Sequence, residues 1–250
     1  TGATEYLSVV SNLGVVSGNA SFAAPQSAQV GIAPVALTVA PLDAVNSSFP
    51  SIAVAAARNT SGDPAMGEVI LIANPLAVGG STWDKQIMKA TRYPLAGRPR
   101  DLMVTNLDGT GGPDLTATSY AAPSISEVDL IYNPVAGVQQ SQVMVNSSPN
   151  GVAPVTPPSG APDNLVITTG PTATGGSVAT LQPLFNYYPK PFTQPPTGLP
   201  LSINGGITLV RTADVDRDGK QDVIVFSHGV YVPGPKPKLA SGQIQVYLGR

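Results

Sequence analysis

A short unit of a Gly or Ser, an alternating strand and a turn signal recurs five times along the chain, beginning at Gly18, Gly67, Ser126, Gly176 and Gly242. The second and third copies, Gly-Glu-Val-Ile-Leu-Ile-Ala-Asn-Pro and Ser-Glu-Val-Asp-Leu-Ile-Tyr-Asn-Pro, are nearly the same sequence. Ahead of each lies a second strand, starting at Glu5, Ser51, Asp114, Asn164 and Asp222. Four units have a further strand upstream, at Ala36, Asp101, a degenerate Gly151 segment and Thr208. A period of roughly 46 to 63 residues, filled with strands alone, is the spacing of β-propeller blades. The sequence therefore predicts an all-β chain of repeated four-stranded blades. Their approximate bounds are 1–32 (partial), 33–95, 96–148, 149–203 and 204–250 (partial). A β-sandwich of irregular hairpins is the competing architecture.

Composition supports many short strands. Gly and Pro number 26 each in 250 residues, which disfavours long helices, since inside a helix Gly costs ~1 and Pro ~3 kcal/mol. Disorder is excluded by a 42% hydrophobic content with only 11% charged residues. A formal net charge of −2 leaves no basic face for phosphate neutralisation, so no nucleic-acid partner is expected. Cysteine is absent and histidine occurs once, at His228. Disulfides, thiolate zinc sites and multi-histidine metal centres are therefore ruled out within one chain. No G-x-S-x-G motif surrounds any serine, and no carboxylate is spaced to serve His228, so the chain reads as non-enzymatic. The most apolar stretch, Val30 to Leu42, is interrupted by Pro34 and Pro41 and falls short of the ~20 residues a spanning helix needs, so no membrane insertion is expected.

One loop carries a distinct chemistry. In the last unit the first and second strands are joined by Asp214-Val-Asp216-Arg-Asp218-Gly219-Lys220-Gln-Asp222. Carboxylates at loop positions one, three, five and nine can converge in a tight turn, with Gly219 permitting the reversal. Unpaired, they would repel; a hard cation that accepts six to eight oxygens, Ca²⁺, resolves the repulsion. The predicted ligands are Asp214, Asp216, Asp218 and Asp222, with the backbone carbonyl of Lys220. The closing acid stands at position nine and strands flank the loop, so it is not an EF-hand. An Asp/Gly turn without metal is the alternative.

The corresponding loop one unit earlier runs Asn106-Leu-Asp108-Gly-Thr110-Gly-Gly112-Pro-Asp114. It has oxygen at the same positions but less charge, and reads as a weaker or vacant second site over Asn106, Asp108, Thr110, Gly112 and Asp114. In the segments 43–51 and 156–164 the pattern has decayed.

The D-x-D-x-D-G-x-x-D loop followed by Val-Ile-Val-Phe resembles the FG-GAP/VCBS repeat family, of bacterial type, and is similar to the repeats of integrin α-subunit propellers. The resemblance is strong at Asp214–Asp222, fair at Asn106–Asp114 and elsewhere only a strand rhythm. It implies a seven-bladed propeller, calcium in the loops and a binding or scaffolding role. The FG…GAP signature itself is missing. Because Thr1-Gly-Ala-Thr-Glu5 aligns with Thr110–Asp114, the chain is expected to open inside such a loop, as part of a larger ring.

Two further segments are candidates for partner contact. Trp83 and Tyr93 lie among Lys85, Lys89, Arg92, Arg98 and Arg100; the stretch reads as a solvated strand with one core aromatic, or as an anionic or glycan contact with Trp83 as a stacking platform. The Pro-rich run from Phe185 to Pro200 reads as an extended insertion between outer strands. Its Tyr187, Tyr188 and Phe192 are costly to expose and are candidate contacts. N-x-Ser/Thr triplets at Asn19, Asn46, Asn59 and Asn146 read as chance occurrences.

The expected function is thus a non-catalytic, extracytoplasmic, calcium-stabilised module that binds a protein or glycan. The location follows from the loop, since cytosolic calcium is too scarce to fill a site of modest affinity. A structural subunit of a larger surface or membrane-associated assembly is the first alternative, and a propeller hydrolase or lyase the last.

Overall fold

The computed structural model describes residues 4–16, 19–42, 49–58, 66–76, 82–110, 112–121, 125–132, 139–145, 148–157, 159–170, 180–187, 190–193, 199–200, 207–227, 231–232, 238–239 and 242–249. The chain is all-β, built of several antiparallel sheets, with one short helix among the described residues. Four of the sheets carry the main core.

Strand β1 (Thr4–Val9) is followed by a separate ladder of β2 (Asn12–Val16) and β3 (Asn19–Phe22), then by the 15-residue β4 (Gln26–Ala40). β4 pairs with β1 through its first half and with β5 (Ser51–Ala57) through its second. β6 (Gly67–Ile72) and β7 (Thr91–Leu95) complete sheet 1, in the order β1-β4-β5-β6-β7. Sheet 2 takes β8 (Arg98–Thr105), β9 (Asp114–Ala121), β10 (Ile125–Tyr132) and β11 (Gln139–Met144), each paired with the next. Sheet 3 takes β12 (Pro149–Val155), β13 (Asn164–Thr169), β14 (Thr180–Tyr187) and β15 (Lys190–Thr193) in order, with β16 (Leu199–Pro200) also on β14. In sheet 4, β17 (Ile207–Ala213) pairs with β18 (Asp222–Ser227). β19 (Tyr231–Val232) and β20 (Lys238–Leu239) pair with each other, and β21 (Gln243–Tyr247) closes sheet 4 on β18.

Four of the five repeated blocks hold the same place. Counting from β4, β8, β12 and β17 as leading strands, the third strand is β6, β10, β14 and β21: β6 opens on Gly67, β10 includes Ser126, β21 follows Gly242, and β14 begins at Thr180, within the fourth block. The first block differs: its β3 pairs with β2 alone. The expected boundary at residue 32 falls inside β4, which passes from one partner to the next without a break.

The sheets pack face to face in chain order, burying three apolar layers. Between sheets 1 and 2 lie Ala53, Ala55, Val69 and Leu95 against Leu102, Leu115 and Ala117. Between sheets 2 and 3 lie Val128 and Leu130 against Val152, Leu165 and Ile167; between sheets 3 and 4, Ala153 and Val166 against Val210 and Val225. Alternation puts successive residues on opposite faces, so Leu165 and Ile167 meet sheet 2 while Val166 meets sheet 4. The central sheets are covered on both sides, each large buried side chain contributing roughly 1.5–3 kcal/mol. The leading strands also touch in series: β4 on β8, β8 on β12, β12 on β17.

The strand expected around Trp83 is instead a helix, α1 (Trp83–Met88). Its six residues contain neither Gly nor Pro; Thr82 enters in extended conformation and Asp84 places negative charge in the first turn, where it suits the helix dipole. Ile87 is buried on the outward face of sheet 1, with Val30, Ile52, Val54, Ile70 and Ile72. Among the described residues no helix is long and apolar enough to cross a membrane.

Candidate metal centre

The Asp214–Asp222 loop connects β17 to β18 at the end of sheet 4. Its tight reversal uses two left-handed residues, Arg217 at φ +64° and Gly219 at φ +85°. Glycine takes that conformation without penalty, whereas for Arg217 it is an uncommon and strained one. The turn is held by its own carboxylates. Asp214 accepts the N–H of Asp218 on Oδ1 at 3.1 Å and that of Gly219 on Oδ2 at 3.0 Å. Asp216 Oδ1 also accepts from the Asp218 N–H, at 3.1 Å, and Asp218 Oδ1 accepts from the Lys220 N–H at 2.8 Å.

These bonds bring the exposed carboxylates of Asp214, Asp216 and Asp218 together, with one oxygen of each within 4.8 Å of the others. Two unit charges about 4 Å apart repel by ~1 kcal/mol even in water. The nearest cationic group is weakly placed: Lys220 Nζ lies 3.7 Å from Asp218 Oδ2, with its side chain half exposed. Three convergent carboxylates on a strained turn are a donor set that suits a hard divalent ion, and the predicted ligand set is brought together at three of its four acids.

The fourth acid is placed differently. Asp222 is fully buried at the start of β18. It accepts the Gly249 N–H on Oδ1 and the Val215 N–H on Oδ2, both at 2.8 Å. These backbone donors, Gly249 first, hold its carboxyl below the usual carboxylate range. Its observed contacts close the loop from behind and tie it to the end of β21.

In the second loop Asp114 repeats that arrangement, buried and accepting the Leu107 N–H at 2.6 Å. The remaining groups satisfy one another: Asp108 Oδ1 accepts both the backbone N–H and the hydroxyl of Thr110, at 2.9 and 2.7 Å, and Asn106 Oδ1 accepts from the Gly109 N–H at 3.0 Å. Gly112 lies in a bend. Among the described residues, no group of three acids converges here as at Asp214.

A sheet-to-sheet latch links these loops. Asp163 accepts the N–H of Asn106 at 2.7 Å, and Gln221 accepts that of Thr156 at 2.8 Å. Asp163 and Gln221 each stand just before the residue that opens the second strand of their sheet, so the same loop position grips the loop of the preceding sheet twice.

Of the candidate contact residues, Trp83 opens α1 half-buried. It lines a groove of about 310 Å³ with Val9, Gln26, Asn74 and Leu76, and its N–H donates to Gln26 Oε1 at 3.0 Å. Tyr93 is core. Phe192 packs partly buried beside the layer between sheets 2 and 3. Tyr187 ends β14 but its side chain, like Tyr188 and His228, lies outside the described residues.

Sequence reasoning missed a second acidic constellation. Glu127 and Asp129 sit side by side on β10, 3% and 0% exposed. Ser119 Oγ donates to Asp129 at 2.8 Å and lies 3.3 Å from Glu127; Gln142 Nε2 is 3.2 Å from each carboxylate. Burial pushes the Asp129 carboxyl up to about 6, and it raises Glu127 as well. Alternation along Ser-Glu-Val-Asp-Leu suggests one wet face; in sheet 2 that face is covered by sheet 1.

No family model matches the chain, and no curated protein matches it.

Proposed function

We propose that the chain is a non-catalytic, calcium-stabilised module of β-propeller type, of the FG-GAP/VCBS kind, which works outside the cytoplasm and binds a protein or glycan. The observation that carries this reading is the convergence of Asp214, Asp216 and Asp218 on the β17–β18 turn. In it, these three acids and the Lys220 carbonyl hold one Ca²⁺, with Asp222 anchoring the loop or adding a ligand. The consecutive sheets and their touching leading strands support blades arranged about an axis. Calcium here does what a disulfide does elsewhere, fixing a surface turn to the sheet behind it.

Thermal unfolding with calcium and with a chelator tests this. An ion that binds only the folded state stabilises it by about 2.7 kcal/mol at a hundredfold excess over Kd. Chelation should therefore lower Tm, and magnesium should restore little of it. Equal melting under all conditions would leave the loop as a turn without metal.

A structural subunit of a larger assembly is the second reading. It is favoured by large apolar side chains exposed on the outward faces of sheets 1 and 4, including Leu37 and Ile244.

A further inference from the structure

We propose that the groove beside Trp83 is a sugar-binding subsite, which takes the neutral pyranose end of a glycan against the indole. The inference rests on the binding role proposed above and gives it a ligand class and a place in the fold.

The groove lies at one end of sheet 1. Val9 ends β1 and pairs with Gln26, which opens β4; residues 74–76 follow β6, and Trp83 opens α1. The walls are held in place by bonds of their own. Asn74 is engaged at both ends of its amide: Nδ2 donates to the Pro50 carbonyl and Oδ1 accepts the Leu76 N–H, both at 2.9 Å. The Trp83 backbone is tied to Gln26 Oε1, and its side chain packs in part against the layer of Val30, Ile52 and Ile87. A site ordered in this way loses little affinity to fixing side chains when a ligand arrives.

The lining combines an apolar surface with uncharged polar groups. Val9, Leu76 and the indole supply the first, and none of the lining residues is charged. Three polar groups have no partner among the described residues: Gln26 Nε2, the Ser11 hydroxyl and the Trp83 ring N–H. The amide nitrogen offers two donors, the hydroxyl both donates and accepts, and the indole N–H donates. A pyranose complements this set. Its C–H face suits the flat apolar ring, and its hydroxyls both give and take hydrogen bonds. An apolar peptide would leave those three groups without partners, and an anion would meet no cation. At about 310 Å³ the groove sits near the lower end of the ~300–1,000 Å³ of small-molecule pockets, which suits a terminal sugar better than a long run of chain.

Trp83 is the only tryptophan in the sequence, so its fluorescence reports on the groove alone. The full chain is titrated with three neutral trisaccharides: cellotriose, mannotriose and N-acetylated chitotriose. At least one should shift the emission saturably, with Kd of about 1 mM or tighter. A sulfated trisaccharide should bind no more tightly. Ser11→Ala, at an exposed position, should weaken binding about fivefold, the worth of one hydrogen bond, with Tm unchanged. Trp83→Ala, followed by calorimetry, should abolish it; unchanged circular dichroism and calcium binding would show that variant folded. No saturable response to any of the three sugars overturns the proposal. So does equal binding by Ser11→Ala, or a response only to an apolar peptide. Calcium is titrated into the same samples: a chain that binds calcium and no sugar sinks the subsite alone, and one that binds sugar without calcium sinks the metal reading alone.

Discussion

Arg211 of sheet 4 clasps Asp101 of sheet 2 through two hydrogen bonds, Nη1–Oδ2 at 2.8 Å and Nη2–Oδ1 at 3.1 Å, across 110 residues of sequence. Asp101 also accepts the N–H of Val152, on β12, at 3.1 Å. One buried carboxylate thus joins the leading strands of sheets 2, 3 and 4. Removing the guanidinium leaves a nearly inaccessible negative charge with only backbone donors. Loss of one partner from a buried pair costs about 3–5 kcal/mol, and the one-third exposure of Arg211 moderates this. Arg211→Leu should lower stability in urea by about 2–3 kcal/mol. A loss under about 0.5 kcal/mol, the level of a surface pair, would show that the clasp does not hold the strands together.

Gly67 opens a repeated block, where its role reads as strand punctuation. The packing gives another reason: a Cβ there would run into the Pro99 ring and come within 2.6 Å of the Gly97 carbonyl oxygen. Backbone on that side cannot move aside cheaply. Gly67→Ala is expected to destabilise by about 1–3 kcal/mol, as overpacked sites do. Unchanged denaturation midpoints would refute the close approach of β6 to the start of sheet 2.

Asp129 makes stability depend on pH in a direction opposite to most carboxylates. Its folded value of about 6 lies above the ordinary 3.8, so between roughly pH 4 and 6 the folded chain binds more protons than the unfolded one. This contribution is fully favourable below pH 4 and is lost as pH rises through 6. With chelator present, to silence the calcium loop, Asp129→Asn should flatten the pH profile in that window and raise stability at pH 7, by at most about 3 kcal/mol. A profile identical to that of the unsubstituted chain would place the proton elsewhere.

The strand rhythm was legible because each unit repeats the same alternation between turn signals, and three third strands fall at Gly67, Ser126 and Gly242, the fourth starting inside its block at Thr180. α1 was not, because the argument from Gly and Pro concerns the chain average, and Trp83–Met88 is a short stretch free of both. The acids of Asp214, Asp216 and Asp218 were readable as a group since a tight loop must fold alternate residues inward. Asp222 was not readable in its observed position: the Gly249 N–H that engages it comes from the far end of β21, 27 residues on. Glu127 and Asp129 escaped for a related reason, since period-two alternation cannot tell a wet face from one covered by another sheet.

Calorimetric titration of calcium into the chelator-stripped chain tests the metal centre most directly, with Asp216→Ala and Asp108→Ala measured alongside. The unsubstituted chain should bind one Ca²⁺ per chain at the β17–β18 loop. Asp216→Ala should abolish that binding, having lost the middle carboxylate of the three that converge. Asp108→Ala should leave it intact, because Asp108 already serves Thr110 within its own turn. No heat of binding at millimolar calcium, or full binding by Asp216→Ala, would contradict the calcium-stabilised reading.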